Sequence, residues 1–157
     1  MYKRILVPLD GSKLAECALP HVEELARGCG TEEVILVSVT ERVPGYRAFE
    51  DPSRPSGQRL IPEAAGKKEK PAEKYLGRIA KAMKASGVKV DTEVLLGDPA
   101  EEIVSYAKHP GCDIIVMSSH GRSGPSRWAY GSVADKVFRA SCVPVLMVRA
   151  PGCIPGI

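Results

Sequence analysis

Residues 113–133 read DIIVMSSHGRSGPSRWAYGSV, and they divide into an apolar run, a polar loop and the start of a helix. The apolar residues 114–117 do not alternate with polar ones, which predicts a strand buried on both faces of a parallel sheet. Ser132 precedes an amphipathic pattern and Asp135 lies three residues further on, the spacing of an N-cap and its partner in the first turn. We therefore expect Ser132 to cap a helix directly after the loop.

The start of this helix is a favourable place for an anion. The first backbone N–H groups of a helix have no partner within it, and the helix dipole places positive potential at the same point. A phosphate group could be bound there without a lysine side chain. The loop and the helix start are thus expected to form one wall of a binding site.

Four further runs predict the other strands. Residues 5–9, 34–39 and 143–148 are apolar, whereas residues 88–94 alternate between apolar and polar as in a strand near a sheet edge. Helical patterns separate the strands, which predicts right-handed crossovers within one α/β domain. The fold class that we expect is an open five-stranded parallel sheet of order 3-2-1-4-5 with helices on both faces.

Turn and helix-breaking residues give local predictions. Ser12 and Asp98 are expected N-caps, and Pro99 fits the first position of the helix that Asp98 begins. Pro20 lies inside the first helical pattern and is expected to kink that helix.

Residues 42–70 form a long excursion to which we assign no structure. Helical periodicity disappears there and resumes only at Ala72, and compact domains keep such segments mainly as lids or mobile loops. We expect one domain over residues 1–150 that contains this excursion, followed by a loose tail at 151–157.

Composition argues against several functional classes. The net charge is only +3 and charges of both signs are interspersed, so we expect no nucleic-acid partner. The five cysteines are odd in number, widely spaced and without a CxxC pair, which favours buried free thiols over disulfides or a metal site. The first apolar run ends at Asp10, too short for a signal peptide, and no run has the length of a membrane span. We expect a cytoplasmic protein without a membrane partner.

The predicted strand order brings two polar elements together. Strands 1 and 4 are neighbours at the topological switch point, where ligands of open α/β sheets bind beyond the carboxyl ends. Asp10 follows strand 1, and the loop of residues 118–132 follows strand 4. Asp10 could merely satisfy the amides of its own turn, but an acid at the end of strand 1 is well placed to accept a hydrogen bond from a ribose hydroxyl. We expect a ligand site at this crevice.

Several catalytic signatures are absent from the sequence. There is no G-x-x-x-x-G-K-S/T, no G-x-G-x-x-G after strand 1 and no G-x-S-x-G, which argues against a P-loop enzyme, a dehydrogenase and an ordinary esterase. His120 beside Ser118 and Ser119 suggests nucleophilic catalysis, but adjacent loop residues rarely reach one another in triad geometry, so a polar loop histidine is favoured. Trp128 and Tyr130 could stack on a base or pack on a helix or partner, and packing is favoured.

Four segments of the chain resemble the universal stress protein family. They are ILVPLDGS at 5–12, GDPAEEI at 97–103, SHGRSG with GSVA at 119–134, and VPVLMV at 143–148. The resemblance covers nearly the whole chain in order and leaves only 42–70 and the tail unmatched. It implies a flavodoxin/Rossmann-like fold of the adenine nucleotide alpha hydrolase kind, with ATP as the ligand.

The nucleotide-binding members of that family carry the motif G-x2-G-x9-G-S/T. Gly121, Gly131 and Ser132 fit the motif, but Ser118 occupies the position of its first glycine. A glycine there would allow a positive φ or a close approach to the ligand, so Ser118→Gly is expected to tighten ATP, and Gly121→Val to fill the space of the phosphates.

The resemblance also implies a set of ligand-binding residues. The adenine and ribose side would be lined by Pro8, Leu9, Asp10, Val39 and Met117. The phosphates would be faced by Ser119, Gly121, Arg122, Gly131, Ser132 and Val133, with Ser118 beside them. A Mg²⁺ or Mn²⁺ ion would be held mainly through the phosphates, because the sequence offers no acidic cluster near them.

The function expected from these observations is an ATP-binding stress-response protein, a nucleotide-dependent switch or binding module with at most slow hydrolysis. One alternative is a non-nucleotide interaction module of the same fold, which Ser118 favours. Another is an enzyme that acts on adenylated or phosphorylated small molecules. We expect a homodimer through the last strand, because Val143, Val145 and Met147 would otherwise leave an apolar, unpaired edge, and the resemblance points to the same strand.

Overall fold

A computed structural model describes residues 1–40, 66–84, 87–108, 111–121 and 131–151 of the chain. The elements in chain order are β1 (Arg4–Pro8), α1 (Lys13–Glu16), α2 (Leu19–Cys29), β2 (Glu33–Thr40), α3 (Gly66–Lys84), β3 (Val90–Leu96), α4 (Pro99–Ala107), β4 (Ile114–Ser118), α5 (Ser132–Ala140) and β5 (Val145–Val148).

The five strands form one parallel sheet in the order β3-β2-β1-β4-β5. β1 lies between β2 and β4, which is the topological switch point of the predicted order. All five residues of β4 are buried, as the run without alternation predicted. The alternating strand β3 lies at an edge, also as predicted. The fold class expected from the sequence is thus confirmed.

Helices cover both faces of the sheet because side chains of each strand alternate between the two faces. On one face, Val22 of α2 and Leu76 of α3 are fully buried in a core that includes Val116 of β4. On the other face, Ile103 of α4 and Val137 of α5 pack in a core with Ile115. The two cores fix the helices against the two faces of the sheet.

The first helical segment differs from its prediction at Pro20. The chain forms two helices there, and Pro20 lies in the first turn of α2, where its missing N–H would have had no helical partner. The kink expected at Pro20 was therefore wrong. Gly30 ends α2 in the left-handed conformation with φ of 61°. Ser12 caps α1 as predicted, since its side chain accepts a hydrogen bond from the amide of Ala15.

The end of the long excursion also differs from the prediction. α3 begins at Gly66 and has Pro71 inside it, so the assignment of no structure at 66–70 was wrong. The remainder of the excursion, 42–65, and residues 152–157 of the tail lie outside the described residues.

The four described cysteines are free thiols, as expected, but they are less buried than predicted. Cys17, Cys29 and Cys112 are half-buried and Cys142 is exposed. Burial raises the pKa of the Cys112 thiol, which makes it a poor nucleophile at neutral pH. Among the described helices, none is both long enough and apolar enough to cross a membrane.

Candidate functional site

A cavity of about 320 Å³ lies beyond the carboxyl ends of β1, β2 and β4. Eleven of the twelve predicted ligand residues line it: Pro8, Leu9, Asp10, Val39, Met117, Ser118, Ser119, Gly121, Gly131, Ser132 and Val133. The twelfth, Arg122, lies outside the described residues. Parallel strands place their carboxyl ends at one edge of the sheet, and the switch point leaves a crevice there. Residues more than a hundred positions apart in the chain therefore share one cavity.

Sequence reasoning missed several lining residues. Pro99 and Ile103 of α4, together with Val37 of β2, extend the wall beside Val39 and Met117. Ala15, His120 and Ala134 also line the cavity. The sequence predicts the helix start at Asp98-Pro99, but α4 reaches the cavity by packing on the sheet face of Ile115 and Met117, and no local pattern records that packing. The added wall is mostly apolar, and it suits a flat aromatic ligand group.

Asp10 faces both its own turn and the loop after β4. Its Oδ1 accepts a hydrogen bond from the Ser12 amide at 2.9 Å, so the turn role weighed for this acid is present. A side chain on Gly121 would place its Cβ 3.0 Å from Cγ of Asp10 and closer still to Oδ2. The glycine is thus needed because the carboxylate and the loop backbone approach closely. The space that a side chain on Gly121 would enter is therefore occupied by Asp10, whereas the sequence analysis expected that space to hold the phosphates.

The N-cap of α5 is Gly131, with φ of −67° and ψ of 156°, and Ser132 is the first helical residue. The prediction that Ser132 caps the helix was therefore wrong. Asp135 donates its amide to the Gly131 carbonyl at 2.9 Å, as the first bond of the helix requires. Among the described residues no side chain caps this helix. The amides of its first turn point out of the helix beside the cavity, where a phosphate would be favoured.

Ser118 adopts ordinary extended backbone at the end of β4, and no described residue other than glycine has a positive φ. Its hydroxyl oxygen accepts a hydrogen bond from the Cys17 thiol at 3.5 Å, and the His120 amide lies 3.4 Å from the same oxygen. The backbone strain expected for a serine at this motif position is therefore absent.

Ser119 and His120 do reach one another, which sequence reasoning considered improbable. Nδ1 of His120 lies 3.0 Å from Oγ of Ser119, and the two residues are 3% and 1% exposed. The Ser119 oxygen also accepts the amide of Ala150 at 3.1 Å. A hydroxyl that is buried and bonded in this way is a structural group, and the geometry does not favour a nucleophile.

The charge on the described walls of the cavity comes from Asp10. The other described lining residues are apolar, hydroxyl-bearing or glycine, apart from the His120 ring. Within the described residues no three His, Cys, Asp or Glu side chains form a group that could hold a metal ion. On these described walls, an anion would be bound by backbone amides, and a divalent cation would need most of its ligands from the anion.

Comparison with known proteins gives a consistent result. The model of the universal stress protein family matches residues 1–149. Universal stress protein MJ0577 of Methanocaldococcus jannaschii is 35% identical over 95% of this chain and 96% of its own length. Universal stress protein MJ0531 of the same organism is 34% identical over 96% of this chain and 84% of its own length.

Solved structures share the same fold. That of hypothetical protein MJ0577 has a TM-score of 0.74 and 32% identity, and the match covers 97% of this chain and 99% of that one. A universal stress protein in complex with cAMP has a TM-score of 0.67 at 21% identity, covering 95% of this chain and 98% of that one. Because the family match spans nearly the whole chain and the relatives exceed 30% identity, the chain belongs to the universal stress protein family.

Proposed function

We propose that the chain is an ATP-binding stress-response protein, a nucleotide-dependent switch or binding module with at most slow ATP hydrolysis. The observation that carries the proposal is that Asp10 and the start of α5 line one cavity on the two sides of the switch point. A carboxylate accepts hydrogen bonds from ribose hydroxyls, and the backbone amides at the start of a helix bind phosphate. The two groups match the two polar parts of a nucleotide.

The apolar wall would take the base. Val37, Val39, Ile103 and Met117 supply aliphatic and thioether surface, which suits the faces of adenine. The cavity of about 320 Å³ lies within the usual range for small-molecule sites. Phosphates that extend from Asp10 toward α5 would meet the amides of Ser132 and Val133. The cAMP complex of a fold neighbour is consistent with an adenine nucleotide as the class of ligand.

The same residues limit hydrolysis. Phosphoryl transfer to water needs a group that positions the water and cations that neutralise the phosphates. The described lining offers one carboxylate, Asp10, on the proposed ribose side. We therefore propose that Mg²⁺ or Mn²⁺ is held mainly by the triphosphate, and that occupancy of the site, more than turnover, carries the function.

A second candidate is a non-nucleotide interaction module of the same fold. It is favoured by Ser118, which replaces a glycine of the nucleotide-binding motif and places its hydroxyl on Cys17 and His120. Nucleotide that co-purifies with the protein, seen by absorbance and mass analysis, would speak for ATP binding.

We also propose a homodimer that pairs through β5. This strand is at the edge of the sheet, and Leu146 is 38% exposed on it, whereas Val143, Val145 and Met147 are half-buried against the α4 and α5 core. An exposed edge strand with an apolar side chain invites a second strand. Within the described part of the chain, no strand pairs with the outer side of β5, and a second copy of the chain could pair there and cover Leu146.

Calorimetric titration with ATP tests the proposed function. Wild type should bind, and Gly121→Ala should bind at least about tenfold more weakly because the new Cβ displaces the Asp10 carboxylate. Gly28→Ala is the matched control, since a Cβ at Gly28 meets nothing within 4 Å. Wild-type protein that binds no ATP would contradict the proposal and favour the non-nucleotide interaction module.

A further inference from the structure

Ser119 is bonded to the end of β5 and to the start of α5. Its amide donates to the carbonyl of Val148 at 2.7 Å, and its carbonyl accepts from the amide of Gly131 at 2.7 Å. Its hydroxyl oxygen accepts from the amide of Ala150 at 3.1 Å and lies 3.0 Å from Nδ1 of His120. The residue therefore joins the end of β4 to the end of β5 and to the N-cap of α5.

The bond to Ala150 replaces a regular bond of the sheet. In a parallel ladder each residue donates to one partner residue and accepts from the residue two positions further along. Since Ser119 donates to Val148, its carbonyl would be expected to accept from Ala150. The carbonyl instead holds Gly131, and the hydroxyl takes over the bond to Ala150. The serine side chain thus stands in for a backbone acceptor.

This substitution has a physical reason. Ala150 is 3% exposed, and a buried amide without an acceptor is costly. Gly131 must also be held, because its position sets where the first turn of α5 meets the cavity. A Cβ at Gly131 would lie 3.2 Å from the Ser119 carbonyl oxygen, so the glycine permits the close approach. A residue with both a carbonyl and a short hydroxyl satisfies the two amides at once.

We propose that Ser119 is a positioning residue that couples the start of α5 to the end of β5. A ligand that draws the first turn of α5 toward the cavity restricts the motion of Gly131. Gly131 then restricts Ser119, whose carbonyl accepts the Gly131 amide. Ser119 in turn restricts Ala150, whose amide donates to the Ser119 hydroxyl. Occupancy of the cavity thereby tightens the end of the edge strand. The ligand part of this inference rests on the proposed function, whereas the coupling of the two amides does not.

Amide exchange of the full-length protein, followed residue by residue by NMR, tests the coupling. In ligand-free protein, Ser119→Ala should raise the exchange rate of Ala150 and of Gly131 together, each by about tenfold or more. Ser141→Ala is the matched control, because Ser141 bonds the backbone of Val143 just before the start of β5, and its loss should leave both rates unchanged. Ser119→Cys keeps a weak sulfur acceptor and should show the same paired increase, smaller in size, if the alanine variant does not fold.

Added ATP gives the second part of the test. In wild type ATP should slow the exchange of both Gly131 and Ala150, whereas in Ser119→Ala or Ser119→Cys the protection should reach Gly131 and be lost or reduced at Ala150. An increase at Ala150 alone in the ligand-free variants, or equal ATP protection of Ala150 with and without the hydroxyl, would overturn the coupling. Failure of wild type to bind ATP would overturn the proposed function, and the ligand-free comparison would still decide whether Ser119 couples the two amides.

Discussion

The hydroxyl of Ser118 lies 3.5 Å from the sulfur of Cys17, so the side chain points to the face of the sheet that α1 and α2 cover. The motif glycine that Ser118 replaces would be needed if the backbone adopted a positive φ, but Ser118 is the last residue of a regular strand. A serine therefore fits this position without backbone strain, and the departure from the motif is compatible with an intact site.

The first prediction reverses the expectation from sequence for Ser118→Gly. Because there is no strain to relieve, the substitution should change ATP affinity by less than about threefold. It should lower the free energy of unfolding by about 1 kcal/mol, since a strand glycine gains unfolded-state entropy and the bond from Cys17 is lost. Calorimetry and urea unfolding measure the two effects, with Cys17→Ala as a control for the lost bond. A tenfold gain in affinity would show that crowding by the serine limits binding.

The second prediction concerns alkaline pH. Burial raises the pKa of Tyr106 and of Tyr75 above the ordinary value of 10.0, with further contributions from Glu93, which accepts the Tyr106 hydroxyl at 2.8 Å, and from Glu16 near Tyr75. The folded state thus holds both phenols protonated. Their contribution to stability is complete below the unfolded pKa and is lost as the pH rises above it.

Urea unfolding between about pH 9 and pH 11 checks this dependence. The unfolding midpoint of wild type should fall above about pH 10, and that of Tyr106→Phe should fall less steeply, although the variant starts lower because it lacks the bond to Glu93. Identical pH profiles for the two proteins would contradict the assignment to Tyr106.

The third prediction concerns the proposed homodimer. Leu146→Lys should convert a dimer into a monomer at micromolar concentration, because a charge on the exposed side of β5 cannot be buried against a second copy. A substitution at Leu146 tests pairing more specifically than one at Val145, because the Val145 side chain also packs against the core and its loss would lower stability. Light scattering measures the mass, and His21→Lys adds the same charge on the exposed surface of α2 as a control. A wild-type mass equal to the monomer would argue against pairing through β5.

Much of the fold could be predicted from local patterns, because a strand that is buried on both faces requires an unbroken run of apolar residues. The run at 114–117 predicted a central strand, and Asp98 before Pro99 predicted the start of α4, where the carboxylate accepts the amides of Ala100 and Glu101. The convergence of Asp10 with the loop after β4 followed from strand order alone.

The details that could not be predicted depend on contacts between distant segments. Gly131 and Ser132 both suit an N-cap by composition, and the bond from Gly131 to Ser119 decides between them. Pro20 fits either a kinked helix or the first turn of a new one, and the packing of α1 and α2 selects the second. The exchange of a backbone acceptor for the Ser119 hydroxyl leaves no pattern in the sequence.

The most direct test of nucleotide binding compares ATP with inorganic triphosphate on Asp10→Ala by calorimetry. If Asp10 binds the ribose and α5 binds the phosphates, ATP affinity should fall about tenfold or more while triphosphate affinity stays equal or rises slightly, since a negative charge is removed. Asp113→Ala is the matched control, because that carboxylate also accepts backbone amides, those of Lys3 and Arg4, at the opposite end of the sheet. Equal losses for ATP and triphosphate, or no ATP binding by wild type, would contradict this account of the site.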